Sequence, residues 1–125
     1  MSRSSPEILR LRLRCDVFAP RRARRALEGL EAIEPVHDDA LLVASELATN
    51  AVRRSARGAD SEIELLAEFV PDGLRIAVTD TCRLAPTPAP EAGQIGLGLR
   101  IVQGIARRWG AERRDGRQMW AVLAI

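Results

Sequence analysis

The stretch Asp38–Arg57, DDALLVASELATNAVRRSAR, decides how the rest of the chain is read. Ala40, Leu41, Val43, Ala44, Leu47, Ala48, Ala51 and Val52 recur at spacings of three and four, which lays a broad apolar stripe along one side of a helix. Asp38 and Asp39 put negative charge at the positive end of that helix, Pro35 precedes it and Gly58 is its stop signal. The spacing therefore predicts the longest helix of the chain, running to Arg57. Glu46 and Asn50, four residues apart, project from one face of it, with Arg53 and Arg54 a turn further on.

Before this helix, Leu9, Leu11, Leu13, Cys15 and Val17 alternate with Arg10, Arg12, Arg14 and Asp16, the period of a strand with one apolar face. Pro20 suits a first helical turn, and Ala23, Ala26, Leu27 and Leu30 follow at helical spacing until the Gly29 region, with Arg21, Arg22, Arg24 and Arg25 mainly outward. After it come two strand-like runs, Ile63 to Val70 and Leu74 to Thr79. Pro71-Asp72-Gly73 joins them into a hairpin, because Pro presets one torsion and Gly accepts a positive one.

From Asp80 to Gly98 the pattern breaks into a long loop with Pro86, Pro88 and Pro90 and then Gly93 and Gly96, a length usually tied to function. Leu97, Ile101, Val102, Ile105, Ala106 and Trp109 resume a helical period. Gly104 within it, unfavourable by about 1 kcal/mol against Ala, suggests close helix packing. Ala111 to Arg114, the turn Asp115-Gly116 and the apolar run Gln118 to Ile125 close the chain as a second hairpin. This order predicts a single domain over residues 1–125 of α+β class, a two-layer sandwich with helices on one face of a mixed, mainly antiparallel sheet.

Composition narrows the function. The chain has 125 residues and a formal charge of +2, too small a balance to imply nucleic acid. All 19 basic residues are arginine, which removes a P-loop lysine and any Schiff-base lysine. Cys15 and Cys82 have no CxxC spacing and His37 is the sole histidine, so a disulfide framework and a Cys/His zinc site are poorly supported. No uncharged apolar run is long enough for a membrane span, and the first apolar run sits among arginines. This reads as a cytoplasmic protein with no membrane contact. Cys15, Trp109 and Trp120 read as core residues, His37 as a solvated or capping side chain, and the first-helix arginines as a solvated face or a surface for an acidic partner.

The Glu46/Asn50 pair is the first chemical candidate. Asn can give Mg²⁺ a neutral oxygen and Glu can take a proton from a nucleophile, although taken alone the pair reads as an exposed helical face. Asp80, ending a strand, can accept from an exocyclic amine such as that of adenine. Gly93, Gly96 and Gly98 lead into a helix start, where backbone amides can approach phosphate. A Rossmann fingerprint fails, since its third glycine would fall at Ile101.

In this order the elements resemble the GHKL, or Bergerat-fold, ATP-binding superfamily, and most closely its anti-sigma-factor serine kinase branch. Ser45-Glu46-Leu47-Ala48-Thr49-Asn50-Ala51-Val52 is similar to that family's N box, Val78-Thr79-Asp80 to the end of its G1 strand, and Gly96-Leu97-Gly98-Leu99-Arg100-Ile101-Val102 to its G2 box. Arg108-Trp109-Gly110 and Met119-Trp120 resemble its closing helix and last strand. The resemblance implies ATP and Mg²⁺ as cofactors. Asn50 would hold the metal, Glu46 would act as general base toward a protein serine, and Asp80 would read the adenine amine. Arg54, Gly93, Gly96, Gly98 and Leu99 would border the nucleotide, with residues 81–95 as its lid. The implied partners are a sigma factor and an anti-anti-sigma antagonist protein, exchanged by partner switching in transcriptional regulation, with no direct nucleic-acid contact and a homodimer left open. Cys82 stands where the family commonly has a glycine, and Arg54-Ser55 where a histidine is often found. These departures keep a second reading in view, a non-catalytic GHKL-fold interaction module with weak or no ATP binding.

Overall fold

The computed structural model describes residues 7–54, 61–80, 97–113 and 116–125. Strand β1 (Glu7–Arg14) leads into helix α1 (Ala19–Glu28), a 3-10 turn (Glu31–Val36) and helix α2 (His37–Arg54). Strands β2 (Glu62–Val70) and β3 (Gly73–Asp80), helix α3 (Leu97–Ile105) and strands β4 (Arg108–Arg113) and β5 (Arg117–Leu123) follow. The five strands lie in the order β1-β2-β3-β5-β4, and each neighbouring pair is antiparallel. This is the α+β sandwich that the order of periodicities predicts.

Strand alternation sorts each strand into two faces. Leu13, Ile63, Leu65, Leu74, Ile76, Val78, Met119, Ala121 and Leu123 turn toward the helices and are buried. Helix α2 covers them with Ala40, Val43, Ala44, Leu47, Ala48 and Ala51, its small residues letting the helix lie close to the sheet. Helix α1 adds Ala19, Ala23 and Leu27 and keeps Arg21, Arg22, Arg24 and Arg25 exposed. The other sheet face buries Leu66, Ala77 and Val122 and carries charged pairs across strands. Arg10 meets Glu64 at 2.6 Å, and Arg75 meets Glu68 at 3.0 Å.

The turn at residues 71–73 has the local reason expected of it. Gly73 has φ +152°, and a Cβ there would run into the Leu123 carbonyl oxygen of the neighbouring β5. Asp72 in the same turn receives a two-pronged bond from Arg108, with both N–O distances 2.9 Å, which ties the β2–β3 turn to the start of β4.

Three expectations are corrected. Trp109 belongs to β4 and not to the helix: Ala106 N still donates to Val102 O, but Arg107 N already donates to Val122 O of β5. The four-residue step from Ile105 to Trp109 satisfies a helix stripe, yet strand pairing claims the second residue. Trp120 is half-buried on the charged face, its ring within cation–π reach of Arg75 (5.5 Å) and Arg108 (5.4 Å), while Trp109 packs against the helix-side core. Gly104 is exposed with nothing within 4 Å of where a Cβ would sit, so close packing does not explain it. The expected continuation of α2 to Arg57 and its stop at Gly58 lie outside the described residues. Among the described residues no helix is long and apolar enough to cross a membrane.

Candidate nucleotide site

Helix α2 carries Glu46, Asn50 and Arg54 at successive steps of four, so they form one row along the helix, and all three are half-buried. The neighbouring hydroxyls are spent on the helix itself: Ser45 Oγ donates to Leu42 O (3.0 Å) and Thr49 Oγ1 to Ser45 O (2.8 Å). The row is thus left with a carboxylate, a carboxamide and a guanidinium as its chemistry.

Glu46 stands against the first turn of α3. A Cβ built on Gly98 would run into Glu46 Oε1 and lie 3.3 Å from its carboxyl carbon. The missing side chain lets the amide end of α3, where the helix dipole is positive, come next to the carboxylate. The Asn50 Oδ1 atom is fully buried with no hydrogen-bond partner among the described residues. A buried carbonyl-type oxygen without a donor is an unfavourable arrangement unless a cation or ligand donor completes it. That oxygen fits Mg²⁺, which prefers one or two protein oxygens and takes its remaining ligands from phosphates and water. Among the described residues no group of three His, Cys, Asp or Glu side chains gathers as an all-protein metal cage.

Asp80 ends β3 and faces the helix side, one step along the same face from Val78. Pairing of β3 with β5 sets Arg117 directly opposite it, and pairing of β4 with β5 sets Arg113 opposite Arg117. Burial holds the Arg54 guanidinium below its ordinary pKa. Burial does the same to Arg117, assisted by repulsion from Arg54 and Arg113 and opposed by attraction to Asp80. The end of the α2 row and the end of β3 therefore meet in one charged cluster.

The structure brings together Glu46 with Gly98, and Arg54 with the Asp80 region. Leu99 is buried in the core, so its side chain packs beneath α3. Gly93, Gly96, Cys82 and the lid at residues 81–95 lie outside the described residues. Sequence reasoning missed Arg117. The signal was present, because Arg117 lies two residues before core-facing Met119 and just after the Asp115-Gly116 turn, and alternation alone puts it on the helix side. A separate hollow of about 510 Å³ opens near the end of α1, but Glu28, Glu31, Glu34, Asp38 and Asp39 line it, which is the wrong charge for a phosphate ligand.

The model of the histidine kinase-like ATPase domain family matches residues 16–124. The chain belongs to that family. No curated protein matches it. As a histidine kinase-like ATPase domain, it is a GHKL-superfamily member, and the family implies an ATP site. The matched span begins after β1. Within this histidine kinase-like ATPase domain, the row on α2, the first turn of α3 and the end of β3 present a carboxylate, a buried carboxamide oxygen, the amide end of a helix and a second carboxylate.

Proposed function

We propose that the chain is an anti-sigma regulatory factor that uses ATP to phosphorylate a serine or threonine of an antagonist protein. The observation that carries this reading is the placement of Glu46, one helical turn from the orphaned Asn50 oxygen and against the amide end of α3. A carboxylate there is within reach of a hydroxyl presented to a phosphate at that helix end. Glu46 takes the proton from the incoming serine as the serine oxygen bonds to the terminal phosphorus and the bond from that phosphorus to the bridging oxygen breaks, ADP leaving with the electron pair. Asn50 would hold Mg²⁺, which when bound neutralises charge on the phosphates. Asp80 accepts from the adenine amine, and the first-turn amides of α3 hold phosphate oxygens.

The partner side of the proposal rests on α1. Arg21, Arg24 and Arg25 are exposed there beside Val17 (78% exposed) and Phe18 (54%), a basic surface with an apolar edge suited to an acidic partner such as a sigma factor segment.

The test uses the parent and Glu46→Gln with labelled Mg·ATP and the antagonist. The amide keeps the shape but cannot take the proton, so transfer should fall about 10²- to 10⁴-fold while ATP binding persists. Equal transfer by both proteins removes Glu46 from the mechanism. Absence of any transfer by the parent favours the interaction module.

A further inference from the structure

Arg117 has no ligand role in the proposed reaction, yet it stands directly opposite Asp80. It is the first residue of β5, paired in register with Asp80 of β3. Residues opposite one another on neighbouring antiparallel strands share a face and stand roughly 4.5–5.5 Å apart at the backbone. Met119, Ala121 and Leu123, at alternate positions along β5, all lie in the helix-side core, so Arg117 continues that side into the site. Its Nη1 is fully buried and has no hydrogen-bond partner among the described residues. A guanidinium nitrogen can only donate. The site therefore presents a buried donor in search of an acceptor, directly beside a carboxylate that can only accept when ionised.

That donor–acceptor pair has a chemical complement. The edge of adenine carries an exocyclic amine, which donates, next to the ring nitrogen N1, which accepts. An adenine whose amine sits on Asp80 and whose N1 edge is turned toward β5 would meet the Arg117 guanidinium with that ring nitrogen. Phosphate is the weaker candidate for Nη1, because Asp80 stands directly opposite and repels an anion at that point, whereas a neutral ring nitrogen is not repelled. Burial and the nearby Arg54 and Arg113 weaken the hold of Arg117 on its proton, a direction that makes an uncompensated donor here still less comfortable in the free protein.

We infer that Arg117 is a base-reading residue, donating to the adenine ring nitrogen beside the amine that Asp80 accepts. This rests on the ATP site proposed above and deepens it. The two residues act as one reader, in which the carboxylate tests for an amine and the guanidinium for the adjacent lone pair.

The experiment is calorimetric titration of the whole chain with Mg·ATP and with the Mg²⁺ complex of 1-deaza-ATP, in which a C–H replaces the ring nitrogen. The parent should bind ATP about tenfold more tightly, since the analogue leaves a buried charged donor unmatched. Arg117→Met, which keeps the apolar stem and removes the donor, should bind the two equally. Arg117→Lys, which restores a donor, should regain part of the gap. Because the parent's own preference is measured first, the inference can fail before any variant is made: equal binding of the two ligands by the parent overturns it. A tenfold gap that survives in a folded Arg117→Met overturns it as well. A parent that binds neither ligand overturns the ATP site itself, a different result from either.

Discussion

Gly98 stands where any side chain would collide with the Glu46 carboxylate, so the first turn of α3 and the middle of α2 are matched to one another at a single atom's width. The overlapped atom is the far end of a flexible side chain. An alanine at 98 can therefore be accommodated by swinging Glu46 aside, without moving either helix backbone.

From this follows a separation of stability from chemistry. Gly98→Ala should change the stability of the free protein by less than about 1 kcal/mol, the helix preference of alanine offsetting the displaced carboxylate. Phosphoryl transfer should fall on the order of 10²-fold, because a base moved by about 1 Å loses its alignment. Denaturant unfolding and a transfer assay read the two effects independently. A variant with normal transfer would show that Glu46 does not act from the position it holds here.

Asn50→Ala should act in opposite directions on the free and the liganded protein. Its buried Oδ1 has no hydrogen-bond partner among the described residues, so removing it relieves a desolvated polar group, and alanine also favours the helix. The free protein should be as stable as the parent or more stable, by up to about 1 kcal/mol. The stabilisation by Mg·ATP, about 2.7 kcal/mol for the parent at 100 times its dissociation constant, should vanish. Melts with and without Mg·ATP measure both. An undiminished shift in the variant would remove Asn50 from the site.

Gly104→Ala is expected to stabilise. The position is exposed in α3 with open space around it and no positive φ, so the substitution reduces the freedom of the unfolded chain without a clash. The gain should be about 0.4–1 kcal/mol in urea unfolding, with ligand binding unchanged. A loss of stability would mean that the glycine answers to something beyond the described residues.

The Asp72–Arg108 clamp makes a pH prediction. The bond from Arg108 pulls the Asp72 carboxyl down from 3.8 to about 2. A carboxyl lowered on folding stabilises the fold above its unfolded value, and that contribution is lost as pH falls through the folded value. Acid melts of the parent and of Asp72→Asn should therefore diverge above pH 4 and converge as pH drops from about 4 to 2. The pair is solvent-exposed, so the divergence should also shrink in high salt. Parallel curves over that interval would show that the clamp adds nothing in solution.

Much of this molecule could be read locally. The apolar stripe of α2, the acidic residues at its start, the Pro71-Asp72-Gly73 turn and the alternation of β1 each depend on residues within a few positions of one another, where backbone geometry leaves little choice. Glu46 and Asn50 belong to the same class, since an i,i+4 pair shares a helix face whatever the helix packs against. The G2 region was legible only as a glycine-rich approach to a helix, and its lid lies outside the described residues.

What the tertiary structure alone decided are the relationships between residues far apart in the chain. Trp109 has a spacing that suits a helix, and only pairing with β5 makes it a strand residue. Trp120 looked like core because tryptophan usually is, but strand register turns it to the face where Arg75 and Arg108 surround it. Asp80 and Arg117 became neighbours because β5 enters the sheet between β3 and β4, and no local pattern encodes that order. The physical reason is common to all three: the period of a helix or strand is set by the backbone of one segment, whereas the partner of a side chain is set by which segments lie together, and that choice is made by the burial of the whole core.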